Sequence, residues 1–454
     1  MNDSALRVTY LTAGAAGMFC GSCMHDNTLA RWLGRAGVDI QLVPCYTPIR
    51  TDEEDVSVDR VFFGGINVFL QQKLPLFRHL PGFLDHWLDQ PWLIRLATQR
   101  AIEVDPKELG GLTVSMLRGT HGYQKKEVRR LVDWLERTAR PQLVVLTNML
   151  IAGCVPEIRR RLNIPVLVTL QGDDIFLDEL PEPYKGQAFT EIRRLVDEVD
   201  GFIVHSRYYA DFMADYFSIP REKLHHVRLG LDTDDFVART PGERSPGHGE
   251  VAATARPPRT IGYLARLAPE KGLHLLVDAF AELRRRPGHD DVRLRIAGWL
   301  GAHRREFAES QFQKLRDADL GDHFEYVGSV DRHGKLDFLR GLDVLSVPTT
   351  YHEPKGLFVL EALAAGVPVV QPSHGAFPEL LEATGGGILV RPDDPISLAD
   401  GLEKMLADET NRRSLAEAGR QVVHSRHDGQ SMAEETVALF HSTLSRRPST
   451  TPVA

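Results

Sequence analysis

The sequence predicts an α/β protein made of two doubly wound halves facing each other across a crevice. Two observations predict it. A strand, a glycine-punctuated loop, a helix and a second strand open the chain, and the same alternation starts afresh near residue 260. Between the two, residues 239–259 (RTPGERSPGHGEVAATARPPR) are rich in Pro, Gly and charge and cannot build a core. At 454 residues the chain also exceeds what one ordinary hydrophobic core serves. The expected division is residues 1–238, a flexible linker at 239–259, a second half at 260–428, a helix at 429–445 long enough to return to the first half, and a disordered tail at 446–454.

In the first half RVTYLT (7–12) is β-rich and runs into the loop GAAGMFCGSC, where Gly14 and Gly17 let the backbone pass close to a ligand. A helix with apolar Leu29, Trp32, Leu33 and Ala36 follows, then the strand VDIQLVP. Residues 61–100 are aromatic and interrupted by Pro75, Pro81 and Pro91, which suits short amphipathic helices covering either the core or an acceptor. A helical stretch at 124–138 precedes the strands QLVVLTN and NIPVLVTL. A helix carrying Ile192, Leu195 and Val196 precedes VDGFIVHS, and KLHHVRLGLD ends the half. In the second half RTIGYLAR, RLRIAG, FEYVG, DVLSVP and VPVVQP read as strands, LHLLVDAFAELRRR as an amphipathic helix and GGGILV as a glycine-rich turn. Helices follow at 395–406 and 409–425.

Composition narrows the function classes. Hydrophobic content of 43% and charged content of 26% describe a soluble globular protein, and a formal charge of −8 gives no support for nucleic-acid binding. Four cysteines (Cys20, Cys23, Cys45, Cys154) point to a reducing compartment, so the expected location is cytoplasmic. No run has the length of a transmembrane helix. Near-balanced charge in 61–100 argues against electrostatic membrane attachment and leaves only peripheral contact open. Cys20 and Cys23 form a CxxC, with His25 and His121 as distant candidate partners. Without a second CxxC, small side chains lining a loop are the favoured reading over a metal or redox site.

The most informative stretch is YHEPKGLFVLEALAAG (351–366), a loop feeding a helix after the strand DVLSVP. Glu353 lies on the loop and Glu361 about a turn and a half into the helix. Beside a helix N-terminus that favours phosphate, two carboxylates suit the hydroxyls of a sugar or ribose. The alternative is that Glu353 stabilises the helix start and Glu361 is solvated. On the loop ARLAPEKG, Arg266 and Lys271 stand at the end of the half's first strand, where two cations can hold a diphosphate. Asp173 and Asp174 (QGDDIF) imitate a metal motif but lie in the other half, and are read as loop or acceptor-side residues.

GYLARLAPEKG, IAG, FEYVGSV and, above all, the E-x7-E of EPKGLFVLEALAAGVPVV resemble the large family of retaining, nucleotide-sugar-dependent glycosyltransferases with the GT-B fold. That family includes bacterial group 1 glycosyl transferases and the sucrose and sucrose-phosphate synthases. In the first half FFGGINVFL, GFIVHSRYYADFM and VRLGLDTDDF are similar to family segments. The resemblance implies that Arg266 and Lys271 hold the donor diphosphate and stabilise the departing nucleotide. It implies that Glu361 bonds the ribose and that Glu353 lies near the transferred sugar, with backbone groups of Lys355, Gly356 and Leu357 beside sugar and phosphate. Val327 and Gly328 would meet the base, and Gly14 and Gly17 the donor phosphate or the acceptor. One departure stands out: Gln171 occupies a place where many relatives carry a histidine.

The expected activity is transfer of a hexose from a nucleoside-diphosphate sugar to the hydroxyl of a sugar, polyol or glycolipid, with retention and with cations in place of a metal. The nucleotide sugar is then a donor substrate, and no cofactor is expected. A GT-B epimerase and a non-catalytic nucleotide-sugar binder are the alternatives.

Overall fold

The computed structural model describes residues 5–14, 21–58, 60–63, 72, 106–236 and 258–446. Expectations placed on Gly17, Cys20, most of 61–100, 239–257 and 447–454 lie outside the described residues. The chain divides into two compact units, Met1–Arg228 with Gly429–Ala454, and Leu229–Asp428.

Unit 1 is built on six parallel strands, β1 (Arg7–Thr12), β2 (Asp39–Pro44), β3 (Leu143–Leu146), β4 (Val166–Thr169), β5 (Gly201–Val204) and β6 (Leu224–His226). Their order in the sheet is β2-β1-β3-β4-β5-β6. Strands β3, β4 and β5 are buried at every position, as sequences LVVL, VLVT and GFIV require of strands covered on both faces. The connecting helices are α1 (Gly21–Arg35), α2 (Pro106–Leu117), α3 (Lys125–Trp134), α4 (Val155–Leu162), α5 (Asp173–Asp178), α6 (Tyr184–Glu198) and α7 (Arg207–Tyr216). The helix expected at 124–138 ends as α at Trp134 and runs on as a π-turn to Ala139. Ser206 caps α7 by accepting from the Tyr209 N–H at 3.1 Å.

Unit 2 has strands β7 (Thr260–Leu264), β8 (Arg293–Ala297), β9 (Phe324–Gly328), β10 (Val344–Leu345), β11 (Val369–Pro372) and β12 (Gly387–Val390), again all parallel, in the order β12-β11-β10-β7-β8-β9. Its helices are α8 (Leu273–Arg285), α9 (Arg305–Asp317), α10 (Arg332–Arg340), α11 (Leu357–Ala364), α12 (Phe377–Thr384), α13 (Pro395–Ala407) and α14 (Glu409–Arg426). Two sequence readings differ here. GGGILV is more than a turn: Gly385 closes α12 in the left-handed region, and Gly387 onward forms the edge strand β12. Helix α9 had not been anticipated, because its mostly polar sequence REFAESQFQKLRD buries only Ala308, Gln311, Phe312 and Leu315.

Unit 2 opens at Leu229, ahead of the boundary expected at 238. The reason is local packing. Leu229, Leu231 and Phe236 are buried in the unit 2 core, and the Leu231 N–H donates to the His427 carbonyl at 3.0 Å. The last helix, α15 (Gly429–Ser445), belongs to unit 1, where Met432, Ala433 and Phe440 join Leu29, Leu33 and Leu42 in one apolar cluster. Gly429 makes this possible, since a Cβ there would stand 2.2 Å from the Trp32 indole nitrogen. No helix among the described residues is long and apolar enough to cross a membrane.

Phe280 on α8 is fully buried in the unit 2 core. Phe280→Ala should destabilise unit 2 by about 3–5 kcal/mol, read by urea denaturation with a probe in that unit.

Candidate functional site

In unit 2 the direction in which the chain adds strands reverses between β7 and β10, and ligands of open parallel sheets bind beyond the strand ends at such a point. Two loops meet there. The β7 loop runs from Ala265 to Gly272 and carries Arg266 and Lys271; the β10 loop runs from Ser346 to Gly356 and carries Tyr351 and Glu353. They touch so closely that a Cβ on Gly272 would lie 1.7 Å from the Pro348 carbonyl oxygen, and Gly272 itself has φ +72°. Only glycine fits both demands. The Thr350 N–H donates to the Glu270 carbonyl at 3.0 Å, a second tie between the loops.

This closure brings Lys271 onto Glu353, 82 residues away in sequence, with Nζ 3.1 Å from Oε2. The Lys271 ammonium also donates to the Tyr351 hydroxyl, which donates in turn to the same Glu353 oxygen. The other Glu353 oxygen accepts from the Gly356 N–H at 3.2 Å, at the start of α11. Glu353 therefore does stabilise the helix start, while also holding the cation. Burial pushes its carboxyl up, but the Lys271 charge and the Tyr351 hydroxyl outweigh burial and hold it below the usual range. Burial and the neighbouring carboxylate push the Tyr351 phenol far up, so it stays a donor. A third loop supports the arrangement from β11. The Ala376 N–H donates to the Glu353 carbonyl at 2.8 Å, and His374 Nε2 contacts the Thr349 carbonyl at 2.8 Å. Burial lowers the His374 pKa, which favours a neutral ring whose Nε2 carries the proton.

Arg266 is on the same loop as Lys271 but more open, its side chain 42% exposed and 3.4 Å from Glu270. An exposed pair of this kind contributes little and leaves the guanidinium able to exchange partners. Glu361 is not solvated. It is buried on α11 and paired with Lys335 of α10 at 2.5 Å. Lys355 is buried, and the Gly356 N–H is already engaged by Glu353 rather than open to a ligand. Leu357 begins α11 and is half-buried. Val327 is exposed at the end of β9 beside Gly328, whose φ is +86°. The structure thus joins Lys271 with Glu353 and Glu361 with Lys335, as two separate ion pairs, the second buried on both sides. Sequence reading had not nominated Tyr351 or Lys335. Tyr351 lies within the stretch singled out, but a lysine in an amphipathic helix such as α10 carries no signal of burial.

In unit 1, Gly14 has φ +85°, and a Cβ there would lie 2.0 Å from the Thr47 carbonyl oxygen. The close approach it permits is to this chain's own backbone beyond β2. Cys23, Cys45 and Cys154 are buried, and His121 is exposed. Asp173 and Asp174 brace a loop. Asp173 accepts from the Met149 N–H at 2.6 Å and the Gln171 N–H at 3.1 Å, and burial raises its pKa to about 7. Asp174 accepts from the Tyr209 hydroxyl at 2.5 Å, which in turn accepts from the Gly172 N–H at 3.0 Å.

Two six-stranded parallel sheets of this topology with surrounding helices, one with Arg266 and Lys271 at its reversal point, have the GT-B fold. Residues 250–422 match the family model described as glycosyl transferases group 1, and residues 108–235 match glycosyltransferase family 4. Residues 250–422 belong to the group 1 glycosyltransferase family. It is 26% identical over 365 residues to a D-inositol 3-phosphate glycosyltransferase of Xylanimonas cellulosilytica, covering 77% of this chain and 83% of that one. It is also 26% identical over 224 residues to an uncharacterized glycosyltransferase of Methanocaldococcus jannaschii, covering 49% of this chain and 55%, about half, of that relative. Sucrose-phosphate synthase of Thermosynechococcus elongatus superposes over 97% of this chain and 100% of its own, with a TM-score of 0.67 at 17% identity. Anabaena HepE, solved in complex with UDP and glucose, covers 96% and 100% with a TM-score of 0.66 at 16% identity.

Because the folded Glu353 pKa lies below its unfolded value, the stability it contributes is present above the ordinary carboxylate range and lost as pH falls through it. Lys271→Ala leaves a buried carboxylate without its cation and should cost about 3–5 kcal/mol near pH 7. The deficit should shrink near pH 4, where Glu353 of the variant is protonated. Urea denaturation of both proteins at the two pH values checks this, and an equal deficit at both would refute the pairing.

Proposed function

We propose that the protein moves a hexosyl group from a nucleoside-diphosphate sugar to an acceptor hydroxyl, with retention at the anomeric carbon. The observation that carries this reading is the Lys271–Tyr351–Glu353 cluster at the strand reversal of unit 2, with Arg266 on the adjoining loop. Breaking the bond between the anomeric carbon and the phosphate oxygen builds negative charge on the diphosphate. Lys271 has three N–H donors and directs two at Tyr351 and Glu353, which fixes its head and aims the third. A cation held this way needs little reorganisation as charge develops, and losing one such donor typically costs about 3 kcal/mol of barrier. With Arg266 beside it, the site supplies the charge a metal would otherwise bring. The acceptor oxygen bonds to the anomeric carbon on the face the leaving group vacates, and its proton passes to a phosphate oxygen.

Glu361 suits a role at the ribose. Pairing with Lys335 offsets its charge toward a nearby diphosphate, while its second oxygen can accept a hydroxyl. HepE was solved with UDP and glucose, which supports a nucleotide sugar as donor here. Epimerase and pure-binder readings draw no support from the relatives, which are glycosyltransferases by name.

Incubation with UDP-glucose, GDP-mannose and related donors should give transfer or slow hydrolysis with the donor's anomeric configuration kept, read by NMR of the product. Inversion, epimer formation, or binding without conversion would refute the proposal. Activity should survive a chelator, whereas loss restored by added divalent metal would overturn the cation-only scheme. Glu361→Gln should weaken nucleoside-diphosphate binding about tenfold, measured by calorimetry, while leaving inorganic pyrophosphate inhibition unchanged.

A further inference from the structure

Lys271 meets more than a carboxylate and a phenol. Its Nζ lies over the face of the Phe358 ring, 5.6 Å from the centroid, and 4.7 Å from the centroid of the Tyr351 ring. Phe358 stands in the first turn of α11, is buried, and meets Phe377 of α12 edge to face at 5.9 Å. The Lys271 side chain is only 15% exposed, so its ammonium stands largely out of water, where attraction to a ring face is strongest.

Core packing alone does not ask for an aromatic ring here. Apart from Glu361, the other buried side chains of α11 are aliphatic: Val359, Leu360, Ala362, Leu363 and Ala364. An aliphatic neighbour would give the ammonium nothing in return for the water it has lost. A second carboxylate would hold it firmly but would repel a diphosphate. A ring face does neither. It attracts the ammonium through its quadrupole, adds no formal charge and offers no oxygen to take an N–H. Among the described residues, oxygens of Tyr351 and Glu353 take two of the three Lys271 N–H groups, and none takes the third.

We propose that Phe358 is a positioning residue for glycosyl transfer, its ring face holding the Lys271 ammonium so that the third N–H meets a phosphate oxygen of the donor. The proposal rests on the sugar-transfer reading above. Of the three side chains that hold Lys271, only Glu353 then carries opposing charge, and the cation keeps its pull on the diphosphate.

The test uses the full chain with UDP-glucose and GDP-mannose as probes, following whichever is turned over. Phenylalanine analogues with one, two and three ring fluorines, incorporated at position 358, keep the shape of the ring while draining negative charge from its face. Along this series kcat/KM should fall stepwise, by about fivefold or more at three fluorines. Phe358→Leu removes the face altogether and should fall at least as far. A flat fluorine series overturns the proposal, because a ring that only fills space is indifferent to the charge on its face. Selective 13C-lysine labelling reads the geometry apart from activity, with the Lys271 signal assigned from its loss in Lys271→Arg. The ε-methylene protons of Lys271 should resonate upfield of those of exposed lysines in the wild type, and move downfield in Phe358→Leu. A wild-type signal at the position of exposed lysines also overturns the positioning. An upfield signal in a protein that converts neither donor leaves the geometry standing, and removes the role through failure of the sugar-transfer reading.

Discussion

The ion pair between Lys271 and Glu353 is the contact on which the unit 2 site depends. Each group alone would be an expensive buried charge; together, with Tyr351 between them, they are satisfied and held in one geometry. The pair exists because the two loops that carry it leave neighbouring parallel strands on either side of the strand reversal. It is held because Gly272 lets those loops close to backbone contact. The support extends outward through the Thr350–Glu270 and Ala376–Glu353 hydrogen bonds, so three successive loops constrain one carboxylate.

The two units solve the same problem in parallel ways. Each is a six-stranded parallel sheet with polar groups gathered at its reversal point. In unit 2 the gathered set places two cations, Arg266 and Lys271, against Glu270 and Glu353. In unit 1 it is a carboxylate, Asp26, ringed by hydroxyls and an amide.

Much of the sheet architecture was legible because parallel strands buried on both faces are written as short apolar runs, and LVVL, VLVT and GFIV have no other comfortable home. The edge strand β12 was less legible, because its glycines read as a turn and its Leu389 is exposed. Arg266, Lys271, Glu353 and Glu361 were nominated from their spacing and a family resemblance. Their pairings were not, because Lys335 meets Glu361 across 26 positions and Lys271 meets Glu353 across 82, and no local pattern encodes such distances. Tyr10 and Thr12 did leave a trace. Polar side chains in a buried interior strand must find partners, and theirs is Asp26.

By itself the sequence determined the α/β class, the two-part division, the order of elements and the loops that carry charge, because these follow from hydrophobic period, glycine and proline placement and composition. Tertiary structure alone decided which charges pair, that Glu361 is buried rather than solvated, that Gly14 serves the chain's own backbone, and that Asp26 gathers its ring of donors. Those outcomes depend on which strand ends lie side by side in the sheet, a matter of topology that no window along the chain contains.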